Sequence, residues 1–181
     1  RAKDYSLFEK VSIDYKGRFP VRSVHGNTGC YLIVDNATGY VFPYPCPDKG
    51  SDTVLEILEE FAVLAKQVDK RIRVLQCDFD SVLLGEPVQN WLKEQGVRQQ
   101  MSAPYVHWQN GMVESAIGKI MDKARSIMAA GRVPKKYWDY AVTTACYVAN
   151  RTPMHRSNKT PYELRFGIKP EIVDADGKAL E

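Results

Sequence analysis

The sequence predicts an α/β fold, a five-stranded mixed sheet flanked by helices on both faces. Three observations carry that expectation. Short apolar or alternating runs recur at five places, each bounded by turn residues. The stretch from Ser51 to Val68 has the 3.6-residue apolar period of an amphipathic helix. The segments then interleave as three strands, helix, strand, helix, strand and two helices. With 181 residues the chain fits one domain and can bury a core without disulfides or structural metal. Apolar residues at 44% and charged residues at 26% exclude wholesale disorder. No apolar run approaches the ~20 residues of a membrane helix.

Val11-Ser12-Ile13-Asp14-Tyr15 alternates and reads as the first strand. Cys30 to Asp35, rich in Leu, Ile and Val, is the second. Asp35-Asn36-Ala37-Thr38-Gly39 is a turn, with Asp35 as its Asx-turn former, and Tyr40-Val41-Phe42 pairs back as a hairpin. The helix from Ser51 to Val68 has its apolar positions at Val54, Leu55, Leu58, Phe61, Leu64, Ala65 and Val68, and Thr53 with Glu56 is expected to make a capping box at its start. Arg71 to Asp78 is the fourth strand, Pro87 to Gln95 a short helix closed by Gly96, and Val97 to Met101 the fifth strand. Ser102 to Gly111 is a loop. A long helix runs from about Met112 to Ala130 and stops at Gly131. Another opens near Pro134 and runs to about Asn150. From Arg151 onward the chain is loop-rich.

Cys30, Cys46, Cys77 and Cys146 form no CxxC pair, which excludes a zinc knuckle or a thioredoxin-type site. They read as buried free thiols of a reducing intracellular compartment. His25, His107 and His155 are too scattered for a metal cluster. No Walker loop, GxSxG elbow or Cys/His nucleophile pair is present. Charge is distributed unevenly. Residues 1–114 hold 13 basic and 15 acidic side chains, residues 115–169 hold 11 and 3, and residues 170–181 hold 1 and 4. A basic segment behind an acidic half hints at a polyanionic partner.

Three carboxylates sit where structure alone does not favour them. Asp14 lies inside an otherwise apolar strand, a disfavoured position. Asp78 ends the fourth strand. Glu114 lies in the first turn of the long helix, with 35 residues between it and Asp78. Singly, each has a structural explanation: an edge carboxylate, a strand-exit cap, an acid at the positive end of a helix dipole. Together they suit phosphodiester chemistry, in which two divalent ions ~4 Å apart clamp the attacking and leaving oxygens. Mg²⁺ or Mn²⁺ takes hard oxygen ligands and retains water, so a few carboxylates suffice. Without metal the like charges repel, and at least one pKa should rise.

Val11-Ser12-Ile13-Asp14, Leu75-Gln76-Cys77-Asp78, Pro104-Tyr105 and Gln109-Asn110-Gly111-Met112-Val113-Glu114-Ser115 resemble the catalytic core of retroelement integrases. The stretch from Ala145 to Pro153, then Thr160-Pro161-Tyr162-Glu163-Leu164 and Gly167, is similar to copia-type retrotransposon Pol proteins. The resemblance covers about residues 8 to 170. It implies a ribonuclease H-like fold and a polynucleotidyl transferase that processes 3′ ends and inserts element DNA into target DNA, acting in the nucleus. It makes Asp14, Asp78 and Glu114 the ligands of two Mg²⁺ or Mn²⁺ ions. A catalytically silent nucleic-acid-binding or assembly domain and a ribonuclease H-like nuclease are the alternatives. Phe79-Asp80 stands where many family members have Asn-Gly, and Asp80 is a rival ligand, two residues beyond Asp78. The family's N-terminal zinc module and downstream DNA-binding part are absent, so an isolated core over residues 1–170 with a loose acidic tail over 171–181 is expected.

Tyr105, Trp108 and Asn110 flank the site on the loop, where the two rings have the chemistry to stack on a base or sugar. Lys119 and Lys123 are four apart and share a helix face. Arg125 returns to the side of Glu114 three turns on. These three are expected to meet DNA phosphates, giving position and affinity without sequence reading. The resemblance also implies a homodimer or higher oligomer, through the helices of residues 115–150. Ile117, Met128, Tyr137, Trp138 and Tyr147 carry its apolar load; Tyr137, Trp138 and Tyr140 also suit a core.

Overall fold

A computed structural model describes residues 5–101, 107–154 and 157–171, with side chains placed at all of these except 107–114. Five strands form one sheet: β1 (Lys10–Gly17), β2 (Gly29–Asp35), β3 (Val41–Cys46), β4 (Val74–Cys77) and β5 (Arg98–Met101). Among the described residues five α-helices accompany it: α1 (Ser51–Lys66), α2 (Glu86–Glu94), α3 (His107–Ala130), α4 (Trp138–Asn150) and α5 (Pro161–Phe166). The spatial order is β3-β2-β1-β4-β5. β1 is antiparallel to β2 and parallel to β4, so the sheet is mixed and β1 is its central strand. Among the described residues no helix is long and apolar enough to cross a membrane.

β2 shows how the layers are built. All seven of its residues are buried, because both faces of the sheet are covered. Successive side chains point to opposite faces. Tyr31 and Ile33 pack with Val54, Leu58 and Phe61 of α1 and with Val88 and Trp91 of α2. Cys30, Leu32 and Val34 pack with Ile117 and Ile120 of α3 and with Trp138, Val142 and Ala145 of α4. The result is a helix–sheet–helix sandwich with two cores, as the sequence pattern implied. Full burial of a side chain such as Phe61 or Leu58 stabilises by roughly 1.5–3 kcal/mol. All four cysteines are buried free thiols.

Several boundaries differ from expectation. α3 begins at His107 rather than Met112, so the second half of the expected loop is helical. Tyr105 and the rest of the segment 102–106 lie outside the described residues, as does the chain beyond Glu171. The capping box does not form. α1 starts at Ser51, which makes Thr53 its third residue, and the Thr53 hydroxyl donates instead to Asp48 Oδ1 at 2.8 Å. The same oxygen accepts the Gly50 N–H at 2.6 Å, so Asp48 braces the helix start from outside.

The segment after Arg151 contains a helix that loop-like composition concealed. Thr160 caps α5 by accepting the Glu163 N–H at 2.9 Å, Pro161 occupies the first turn, and Gly167 ends it at φ 73°. Asn150 joins this region to the sheet. Its amide accepts from Val41 N–H and donates to Val41 C=O, both at 2.8 Å, and so acts as a one-residue partner for the edge strand β3. The guanidinium of Arg151 stacks on Tyr147 at 3.6 Å and Tyr162 at 4.6 Å.

Candidate active site

Parallel pairing sets Lys10 beside Val74, Val11 beside Leu75 and Ser12 beside Gln76. Carried two residues further, this register stands Asp14 level with Asp78, where β4 has just ended. Alternation fixes the face. Val11, Ile13, Leu75 and Cys77 belong to the core under α1 and α2. Ser12, Asp14, Gln76 and Asp78 therefore take the opposite face, toward α3. Asp14 is paired with Leu32, a residue of the α3–α4 core, which agrees.

Glu114 is carried by α3. Position 114 lies three and seven residues before Ile117 and Met121, at the head of the stripe that packs on the sheet. Asp14, Asp78 and the helix that carries position 114 thus lie on the same face of the sheet. Among the described residues no three acidic, imidazole or thiol groups gather as a metal-ligand set; the Glu114 side chain is outside them.

The local electrostatics follow from crowding of acids. The Asp78 carboxyl is pushed above its ordinary range by partial burial first, then by the charges of Asp14 and Asp80. Lys49 and Lys16 oppose that rise. Lys16 Nζ lies 2.6 Å from Asp14 Oδ2, and Lys49 Nζ lies 2.6 Å from Asp80 Oδ2. Neither lysine was singled out from the sequence. Lys16 had a signal, since two residues along a strand return to the same face as Asp14. Lys49 had none, because a contact across 31 positions leaves no local trace.

Asp80 differs from the expected rival. β4 ends at Cys77, so the chain is not extended from Asp78 to Asp80, and the two carboxylates do not share a strand face. Asp80 is buried, paired to Lys49, and accepts the Val82 N–H at 2.9 Å at the head of the turn leading to α2. Its role here is to hold that turn. Asp35 is the turn former the sequence suggested. It is fully buried and accepts from Phe8 N–H, Thr38 N–H and the Thr38 hydroxyl, although burial raises its pKa.

At ~100° per residue, positions 119 and 123 stand ~140° and ~180° around the helix from position 114. Lys119 is exposed and Lys123 half-buried. Arg125 does return to the side of position 114, where it pairs with Asp122. Trp108 and Asn110 fall within the first turn of α3 rather than on a loop.

No family model matches the chain. It is 26% identical over 149 residues, 82% of its length, to the retrovirus-related Pol polyprotein from transposon TNT 1-94 of Nicotiana tabacum, and spans 11% of that protein. It is 28% identical over 177 residues, 96% of its length, to the Pro-Pol polyprotein of feline foamy virus, and spans 14% of it. In structure it is similar to the HTLV-2 integrase catalytic core domain in complex with magnesium. The TM-score is 0.65 at 15% identity, over 87% of this chain and 96% of that one. This is the ribonuclease H-like fold of an integrase catalytic core. The likeness in fold to the integrase core and the sequence relation to Pol polyproteins agree with the resemblance carried by the Asp14, Asp78 and Glu114 motifs.

Proposed function

We propose that the chain is the polynucleotidyl transferase core of a retrotransposon-type integrase, with residues 1–170 as the catalytic unit, acting on chromosomal DNA in the nucleus. The observation that carries this reading is that Asp14 on β1 stands level with Asp78, the residue after β4, on the sheet face toward the helix that bears Glu114. The raised pKa of Asp78 is consistent with it: partial burial is the main cause, and the charges of Asp14 and Asp80 add to it.

Asp14, Asp78 and Glu114 would hold two Mg²⁺ or Mn²⁺ ions; the magnesium complex of the similar HTLV-2 core supports that choice. All three are hard oxygen donors, which fits these ions. When bound, such ions activate the attacking hydroxyl and offset charge on the phosphate. The chain's own residues supply the positions. β1 and β4 fix two carboxylates on a rigid sheet, and α3 carries the third. Lys16, 2.6 Å from Asp14 Oδ2, would be placed to meet a phosphate oxygen if Asp14 held a cation instead. Tyr105, Trp108 and Asn110, just ahead of Glu114 in sequence, are the proposed contacts to the DNA end. Water is the nucleophile in 3′-end processing and the new 3′-hydroxyl in strand transfer, and each step exchanges one phosphodiester oxygen for another.

Strand transfer on a branched DNA substrate, with Mg²⁺ or Mn²⁺ as the variable, tests the reading. Metal-dependent joining that disappears in Asp14→Asn supports it. DNA binding with no joining under any metal identifies a silent assembly domain. Cleavage confined to RNA–DNA hybrids identifies a nuclease.

A further inference from the structure

The end of the sheet opposite the carboxylates carries a second charged feature. An open cleft of about 600 Å³ lies between the start of β1, the C-terminal end of α1 and the segment that enters β4. Lys66, Lys70, Arg71 and Arg73 line it, against the carboxylates of Glu9 and Asp69. Glu9 is engaged by the preceding turn, accepting from the Ser6 N–H and hydroxyl at 3.1 and 3.0 Å. None of the four cations makes an ion pair with a described residue, in contrast to Lys16 and Lys49 at the other end. All four are exposed.

The surroundings add positive charge. The backbone N–H of Arg98 donates to Arg73 C=O at 2.9 Å, which places the exposed Arg98 beside the cleft. Lys10, next to Glu9, is 5% exposed and lies over the ring of Tyr5. Burial lowers its pKa, and the nearby charge of Arg98 lowers it further. The C-terminal carbonyls of α1 work against an anion, but a helix dipole end is equivalent to roughly half a charge.

We propose that this cleft docks the phosphate backbone of a DNA duplex, at a place separate from the carboxylate site. Exposed guanidinium and ammonium groups on an open cleft are suited to phosphate, and a duplex carries one charge per ~1.7 Å of axis, denser than an acidic protein surface. Arg73 and Asp78 bracket β4 and lie five residues apart, ~17 Å of extended chain. Sixteen residues of α1, ~24 Å of helix, separate the Lys49 end from Lys66. A duplex held here is therefore several base pairs away from the end undergoing chemistry. The choice of DNA over other polyanions rests on the function proposed above; the cleft itself does not.

The test is duplex binding by the 181-residue chain, read by fluorescence anisotropy with labelled duplexes of two unrelated sequences across a salt series. EDTA is included, so that the carboxylate site holds no metal. Combining Lys66→Gln, Lys70→Gln, Arg71→Gln and Arg73→Gln should weaken both duplexes alike, by more than tenfold at low salt. The slope of log affinity against log salt should shrink by about 0.9 for each phosphate that the variant no longer neutralises. Circular dichroism checks the fold, and the two double variants, each with about half the effect, serve if the quadruple variant misfolds. A folded variant with unchanged affinity and slope overturns the proposal, as does polyglutamate competing as strongly as DNA. Absence of strand transfer alongside persistent cleft-dependent binding supports this site and counts only against the transferase reading.

Discussion

Lys49 Nζ and Asp80 Oδ2 are 2.6 Å apart, and this pair ties the segment before α1 to the turn after β4. It also separates two aspartates that look equivalent in sequence. Asp80 commits its carboxylate to Lys49 and to the Val82 N–H, whereas Asp78 projects to solvent level with Asp14. The expected consequence is that Asp80→Ala lowers unfolding free energy by about 1–3 kcal/mol, because a charge-assisted hydrogen bond disappears and a donor is left unsatisfied. Its effect on Mg²⁺ affinity should be smaller than that of Asp78→Asn. Urea unfolding and metal titration by calorimetry measure the two sides. A stable Asp80→Ala protein that no longer binds metal would reverse the assignment.

Asp14→Asn, Asp78→Asn and Glu114→Gln should each reduce strand transfer by at least a hundredfold while leaving the fold intact. Each keeps side-chain shape and removes charge that hard cations require. In the unaltered chain, millimolar Mg²⁺ should raise Tm, because a ligand bound only by the native state stabilises it by mass action. That rise should vanish in each variant. A Glu114→Gln protein with normal activity would remove Glu114 from the site.

The raised pKa of Asp78 makes a pH prediction. A carboxyl harder to ionise when folded favours the folded state while protonated. That contribution is full at pH below the unfolded carboxyl value and is lost as pH rises through the folded one. Metal-free Asp78→Asn should therefore be more stable than the unaltered chain at neutral pH, and the gain should shrink as pH falls through the carboxylate range. Thermal melts in EDTA from pH 3 to pH 7 measure this; a gain that grows toward low pH has the wrong sign.

Asn150 should be among the costliest polar residues to remove. Both of its bonds to Val41 are buried, and truncation leaves a donor and an acceptor at the sheet edge without partners. Asn150→Ala should cost roughly 2–4 kcal/mol, and Asn150→Asp nearly as much, since a carboxylate cannot donate to the Val41 carbonyl. Denaturant midpoints at constant m-value measure the change.

These residues also show what was legible in the sequence. Asp14 stood out because an acid interrupts an apolar strand, and Asp78 because it ends another, so local pattern sufficed for both. β2 was legible as a strand from its Leu, Ile and Val, but not which of its side chains meets which core, because the run is continuously apolar. The start of α3 was hidden because Trp108-Gln109-Asn110-Gly111 carries turn-forming residues, and packing of the later apolar stripe extends the helix back through them. α5 escaped because six residues are too few for a period, although Thr160, Pro161 and Gly167 hold both of its ends. The Asn150–Val41 and Lys49–Asp80 contacts are long-range pairings that no local rule reports.

The expected homodimer needs a revised surface. Ile117 and Trp138 are 0% and 4% exposed; Trp138 stacks on Phe19 and donates its indole N–H to Val21 C=O. They belong to the core under α3 and α4 and have nothing left to offer a partner. Met128 packs partly against the same core, and Tyr137 is half-buried. Tyr147 remains, and α4 turns it outward with Tyr140 and Val148. Tyr140, Thr144, Tyr147 and Val148 recur at helical spacing, so one face of α4 carries aromatic and aliphatic groups around Thr144, with Arg151 just past its end. Two such faces meeting about a two-fold axis would bury apolar area without exposing an unpaired strand edge. Tyr147→Glu with Val148→Glu places charges at the centre of that interface and should shift the chain toward monomer. Tm at low concentration should stay nearly unchanged, because exposed positions contribute within about 0.5 kcal/mol to the fold. Sedimentation velocity over a concentration series decides it. An unaltered chain that is monomeric at the highest concentration, or a double variant that dimerises as well, would place the interface off α4.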